Sequence, residues 1–414
     1  MAMKLFQILS ILLTVSALFS YLNHRTLQLP TTIGVMAISL LGSLAIVAAG
    51  PFSFGLQQEA IRLVQSIDFD ETLLHGMLSF LLFAGALHID LEALARRKWI
   101  ITVLATVGTA LATALNGLGT WVVSQWLDLH LPFLSCLLFG ALIAPTDPIA
   151  VLGILRKAGV PESVETKICG ESLFNDGVAV VLFIILLEMT RDPAAATLSH
   201  ALALFAKEAL GGIAYGLVIG WIAYLMLKSI DDYQVEVLIT LALVSGGYAL
   251  ADALHISGPI AIVVAGLLIG NPGRMLAMSE RTRRHLDTFW ELVDEVLNVV
   301  LFVLMGLEVL ALDWTRTHLT TGLLLIPLVL ASRLVSVSLP VALLRPFTRF
   351  SPGVIRILTW GGLRGGISVA MALSLPPAPA RDTILAATYV VVVFSILVQG
   401  LTVEKVVRSV EERA

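Results

Sequence analysis

Charge is scarce in this 414-residue chain: Asp, Glu, Lys and Arg make up 14% of it, against a hydrophobic fraction of 57%. That balance excludes a string of soluble domains of ordinary composition. Cysteine is scarcer still. Cys136 and Cys169, the two present, both fall in apolar segments, so a disulfide framework is not expected and no metal centre is suggested. No basic run resembles a nucleic-acid-binding arm, and a net charge of −4 gives no sign of such a partner. Phosphate loops, zinc-ligand spacings and nucleophile elbows are all missing, which excludes transport driven by ATP hydrolysis on this chain and leaves no cofactor expected. Connections are brief and low-complexity tracts are absent, so no sizeable soluble domain fits.

What the chain has in plenty is apolar runs, with a mean hydropathy of +0.92. Runs long enough to cross a bilayer fall at 4–22, 31–51, 71–89, 99–126, 132–155, 168–190, 199–227, 234–254, 258–271, 288–311, 318–344, 354–376 and 383–407, about thirteen in all by the ~20-residue rule. Two are irregular: 234–254 contains Gly246-Gly247, and 258–271 is short. The expected fold is therefore an all-α polytopic membrane protein, one membrane unit over 1–414. The first run follows Lys4 as a signal peptide would, but with so many further spans it is read as a retained helix. With the N-terminus outside, the inner loops gather most of the 26 lysines and arginines, among them Arg96, Arg97, Lys98, Arg281, Arg283 and Arg284. The tail is then cytoplasmic.

Polar groups inside such runs point to function, because each charge there costs roughly 2.5–3.5 kcal/mol on insertion scales. Glu171, Ser172, Asn175 and Asp176 sit together in one span, with Ser172 and Asp176 four apart and Glu171 and Asn175 four apart, as two adjacent stripes on one helix face. The preceding span is broken at Ala144-Pro145-Thr146-Asp147-Pro148. Its prolines free carbonyls at membrane depth, and those oxygens with Thr146 and Asp147 make a hard-oxygen site suited to an alkali cation. A second interruption is expected at Gly361-Gly362-Leu363-Arg364-Gly365-Gly366, and Arg333, alone in its span, needs a carboxylate partner. Breaks in both halves point to inverted repeats meeting at a midplane site. One acid would pair with an arginine and the others bind a cation or protons. The remaining polar groups read as caps: His88 and Asp90 at the end of the third span, Asp252 and His255 after the eighth, and Glu291, Asp294, Glu295 and Glu308 around the tenth, for which a pathway vestibule is the alternative.

The motifs Ala144–Val151, Gly170–Gly177 and Gly361–Gly366, in that order, resemble the monovalent cation/proton antiporter family, in particular its NhaP-type sodium/proton antiporters, relatives of the animal sodium/proton exchangers. The resemblance covers the whole chain. It implies a homodimer embedded in lipid, with no soluble protein partner and no nucleic acid. Scaffold and dimerisation helices would lie mainly at 1–70 and 199–287, and a six-helix transport domain with two crossing unwound helices at 71–190 and 288–407. It makes Asp176 the ion-exchanging carboxylate, with Ser172 and Thr146 as further Na+ ligands and Asp147 in the crossing region. Glu171 would pair with an arginine, Arg333 fitting better than Arg364. Asn175, where the electrogenic branch has a second aspartate, implies electroneutral exchange of Na+ or Li+ for H+ in the cytoplasmic membrane, serving internal pH and sodium control. The chain departs from many relatives at Ala84, where they carry an acid. A K+/H+ antiporter on the same scaffold is the near alternative, a cation channel a remote one. An intramembrane aspartyl protease would leave Arg333 and Arg364 unexplained.

Overall fold

The computed structural model describes residues 5–49, 56–65, 76–147, 162–192, 197–348 and 350–411. Among them the chain is helical almost throughout, as lipid demands of a backbone that has no water to bond to. The sole strand-like pairing among the described residues is one antiparallel bridge between Asp147 and Leu363. Eight helices among them are long and apolar enough to cross a membrane: Phe6–Leu27, Thr31–Ala49, Lys98–Trp126, Val164–Arg191, Ser199–Lys228, Tyr233–Ala253, Arg316–Leu344 and Arg381–Val410. Shorter apolar helices lie at Leu78–Leu87, Phe133–Ile143 and Gly258–Gly273.

Both irregular runs are helical. The short one gains length from a wider π turn at Ile269–Gly273, where the Asn271 side chain braces a neighbour: Oδ1 accepts from Leu91 N at 2.8 Å, and Nδ2 donates to Ile89 O and Leu267 O. Two points depart from the sequence reading. The tenth run begins earlier, at Glu280, with Ser279 capping the helix by accepting from Thr282 N. An amphipathic helix at Leu56–Gln65 lacks an apolar run and was not expected. The fifth run is broken as expected, helical over Phe133–Leu142, and Pro148 with the rest of that run lies outside the described residues.

Small residues let the helices close on one another. Ser39 and Ser43 of Thr31–Ala49 donate to Val303 O and Gly306 O, tying that helix to Glu280–Glu308. Gly212, Gly216 and Gly220 press against the backbone of Ser257, Ala261 and Ala265, so the Leu198–Lys228 helix seats directly on Gly258–Leu268. The largest apolar core joins Lys98–Trp126, Val164–Arg191, Arg316–Leu344 and Arg381–Val410 around the two interrupted helices. Trp99 and Trp126 stand exposed near the two ends of their span, as interfacial anchors would.

Candidate ion-binding site

Two helices stop short where they meet. The first ends at Leu142 and turns through Ile143 and Ala144, and from Pro145, which has no N–H to give, residues 145–147 leave the helix. The second ends at Trp360 and resumes at Gly366. Between the ends, Asp147 N donates to Leu363 O at 2.8 Å. Glycine is needed on the second strand: a Cβ on Gly365 would overlap the Asp147 carboxylate, and one on Gly362 would overlap the Arg333 guanidinium.

Chain breaks at membrane depth expose carbonyls, and here an arginine takes them. Arg364 Nη1 donates to Ala144 O at 2.5 Å and to Pro145 O at 2.9 Å, while its own N donates to Ser395 Oγ. The sequence reading offered those freed carbonyls to an alkali cation. Of the two that the prolines free, Ala144 O is engaged by the buried Arg364 guanidinium, and Ala141 O accepts from Ala144 N at 3.3 Å.

The Glu162–Arg191 helix supplies the acids, and its two polar stripes go to different partners. Glu171 accepts a two-pronged bond from Arg333, Nη1 to Oε1 at 2.5 Å and Nη2 to Oε2 at 3.0 Å. Arg333 Nε also reaches Leu358 O. Arg333 rather than Arg364 is thus the partner of Glu171. One turn on, Asn175 grips Thr146 twice, its Oδ1 accepting from Thr146 N at 3.3 Å and its Nδ2 donating to Thr146 Oγ1 at 2.9 Å. The Thr146 and Ser172 hydroxyls are 2.9 Å apart and share a hydrogen bond. Asn175 therefore acts as a bracket that holds the broken strand to the helix. Asp176 differs from all of these. It is 6% exposed, and its Oδ1 has no hydrogen-bond partner in the structure.

Asp176 faces a cavity of about 650 Å³, whose wall also includes Thr146 and Asp147. Ala84 lies on that wall too, so the third-span position contributes a methyl and no oxygen. Another part of the wall comes from the Glu280–Glu308 helix, with Asp287, Glu291, Asp294 and Asn298 in line along one face. Glu291 and Asp294 are therefore not mere end caps, which corrects the sequence reading; the helical spacing of 287, 291, 294 and 298 was the available signal. Glu295 lies off that wall and is exposed. Glu308 is also no interfacial cap, being 4% exposed at its helix end. His88 lines the cavity while bonding Ala84 O through Nδ1. Asp90 is the cap expected, accepting from Glu92 N and Ala93 N, and Asp252 and His255 are exposed at their helix end.

Comparison with known proteins agrees with this architecture. The family model described as "Sodium/hydrogen exchanger, transmembrane" matches residues 13–409. The Na(+)/H(+) antiporter NhaP of Pseudomonas aeruginosa is 50% identical over 403 residues, 96% of this chain and 95% of that one. The Na(+)/H(+) antiporter NhaH of Halobacillus dabanensis is 36% identical over 398 residues, 92% and 96% of the two chains. Among solved structures, the sodium proton antiporter MjNhaP1 of Methanocaldococcus jannaschii at pH 8 shares the fold, with a TM-score of 0.77 at 20% identity and 99% of each chain covered. Families of this kind are secondary transporters, not enzymes. The chain belongs to the transmembrane sodium/hydrogen exchanger family.

Proposed function

We propose that this protein exchanges Na+ (or Li+) for H+ across the cytoplasmic membrane, one for one and without net charge movement, with both ions competing for Asp176. The observation that carries the reading is the bare Asp176 Oδ1 on the cavity wall. A buried carboxylate with an unmatched oxygen is costly as a free anion, so it favours holding a proton or a cation at all times. Two competing ions at one alternately exposed carboxylate suffice for antiport. The names carried by the similar proteins, sodium/proton antiporters of bacteria, support the same ions.

In this reading Ser172 Oγ and Thr146 Oγ1 complete the Na+ ligand set, and Asp147, fixed by its backbone bond to Leu363 O, holds negative charge beside it. The Glu171–Arg333 pair and the Arg364 clamp hold the two breaks in register. Asn175, neutral and used as the bracket for Thr146, leaves Asp176 as the one exchanging acid of its helix. Single-acid exchange supports electroneutrality. Arg274, paired with Asp287 of the cavity wall, and Arg283, which donates to Arg274 O, favour a cytoplasmic opening, hence an outside N-terminus and an inside tail. The exposed apolar faces of Leu198–Lys228 and Tyr233–Ala253 suit a scaffold at 1–70 and 199–287 that carries a homodimer interface, with 71–190 and 288–407 as the moving transport domain.

Proton flux in inside-out vesicles with an acidic interior tests the reading. Na+ and Li+ should release protons while K+ does not, with no effect of clamping the membrane potential. Release by K+ alone would transfer the mechanism to a K+/H+ antiporter, and a potential-dependent rate would overturn electroneutrality.

A further inference from the structure

Asp176 Oδ1 is not the sole bare oxygen on the cavity wall. Asn298 is 2% exposed, and its Nδ2 donates both to Asp294 O at 2.8 Å and to Asp294 Oδ1 at 3.1 Å. Those two bonds fix the orientation of the amide and leave its Oδ1 without a partner. Ser368, wholly buried in the first turn of Gly366–Leu373, has an Oγ with no partner either. Both residues line the cavity that Asp176 lines. Their helices meet there, since a Cβ on Gly366 would overlap the Leu301 side chain, and Leu301 stands one turn beyond Asn298. None of these side chains belongs to the motifs around Glu171–Asp176 or Thr146–Asp147.

A buried amide oxygen and a buried hydroxyl, both unmatched, lower stability unless something occupies them in function. Their chemistry selects the occupant. Two neutral oxygens beside one carboxylate make a hard-oxygen set of low charge, suited to a monovalent alkali cation that keeps part of its water shell. An anion is disfavoured by Glu291, Asp294 and Asp147 on the same walls, Asp287 being paired with Arg274. We propose that Asn298 Oδ1, Ser368 Oγ and the Asp294 carboxylate form a second cation subsite, which receives the ion before it reaches Asp176. The proposal rests on the reading of Asp176 as the exchange site. It also supplies an oxygen set where Ala84 supplies none. The subsite gives the acidic face of Glu280–Glu308 a destination: Glu291, next along from the Asp287–Arg274 ion pair, attracts the cation, and Asp294 with its two neutral neighbours strips part of its water.

The test uses purified full-length protein in proteoliposomes, with Ser368→Ala and Asn298→Ala beside Asp176→Asn. Ser368→Ala removes no hydrogen bond of the structure, so the melting temperature should hold or rise, and the KM for Na+ should still increase about fivefold, the equivalent of one lost ligand contact. Asn298→Ala should raise KM at least as much. Asp176→Asn should end exchange yet keep weak equilibrium binding of radioactive Na+, and adding Ser368→Ala with Asn298→Ala should remove that remaining binding. The two readings fail separately. Exchange retained by Asp176→Asn would overturn the assignment of Asp176. A KM within about twofold of wild type in Ser368→Ala, with Asp176→Asn inactive, would overturn the subsite. Ser368→Ala alone decides this even where Asn298→Ala fails to fold.

Discussion

Glu171 and Asp176 sit on one helix, both more than nine-tenths buried, and they have opposite fates. Glu171 is matched oxygen for oxygen by Arg333, whereas Asp176 keeps an unmatched oxygen on a cavity wall. Burial alone therefore does not identify the working acid; the state of its partners does. A paired carboxylate has no reason to take up a proton or a cation, and losing its partner is destabilising. An unmatched one has reason to take either. The two chain breaks divide in a similar way. One, at residues 143–147, presents oxygens, and the other, at residues 361–365, presents the guanidinium that engages them.

The largest effect that would sharpen this contrast is on transport. Asp176→Asn should abolish Na+-dependent proton movement while leaving a folded protein, since an amide fills the same space and titrates with neither ion; the check is flux alongside the melting temperature in detergent. Glu171→Gln should do the reverse in kind, costing about 3–5 kcal/mol of stability through the stranded Arg333 charge. Adding Arg333→Met should recover much of that loss, and a melting temperature that Glu171→Gln leaves unchanged would break the contrast. Arg364→Gln comes next, at about 1–3 kcal/mol for each carbonyl left unmet, read by thermal unfolding. Ser172→Ala is the smallest, raising the KM for Na+ about fivefold for one lost oxygen contact, with little change in melting temperature.

Much of this was legible in the sequence because lipid makes charge rare and so makes each buried charge informative. The breaks, the choice of Arg333 for Glu171 and the grouping of Thr146 with Ser172 could all be anticipated from the motifs. The role of Arg364 could not, since proline arithmetic shows which carbonyls lose an N–H and is silent on what replaces it. Asn175 was legible as a neutral substitute but not as the bracket on Thr146, which depends on a contact between residues far apart in sequence. Asp287, Glu291, Asp294 and Asn298 were within reach through their helical spacing. Glu291 and Asp294 were read as caps because acids in the first turns of a helix have an ordinary explanation in the helix dipole, and Asp287 and Asn298 were not singled out. The Leu56–Gln65 helix carries too little apolar character for a span-length rule to find it.

Competition at Asp176 is tested most directly by measuring the KM for Na+ as a function of pH in proteoliposomes, with the maximal rate followed in parallel. If one carboxylate holds either ion, each proton bound excludes one Na+, so KM should rise about tenfold for each pH unit of acidification through the range where the site is mostly protonated. The maximal rate at saturating Na+ should change far less. A KM that stays flat while the maximal rate falls with pH would contradict competition and place the proton on some other group.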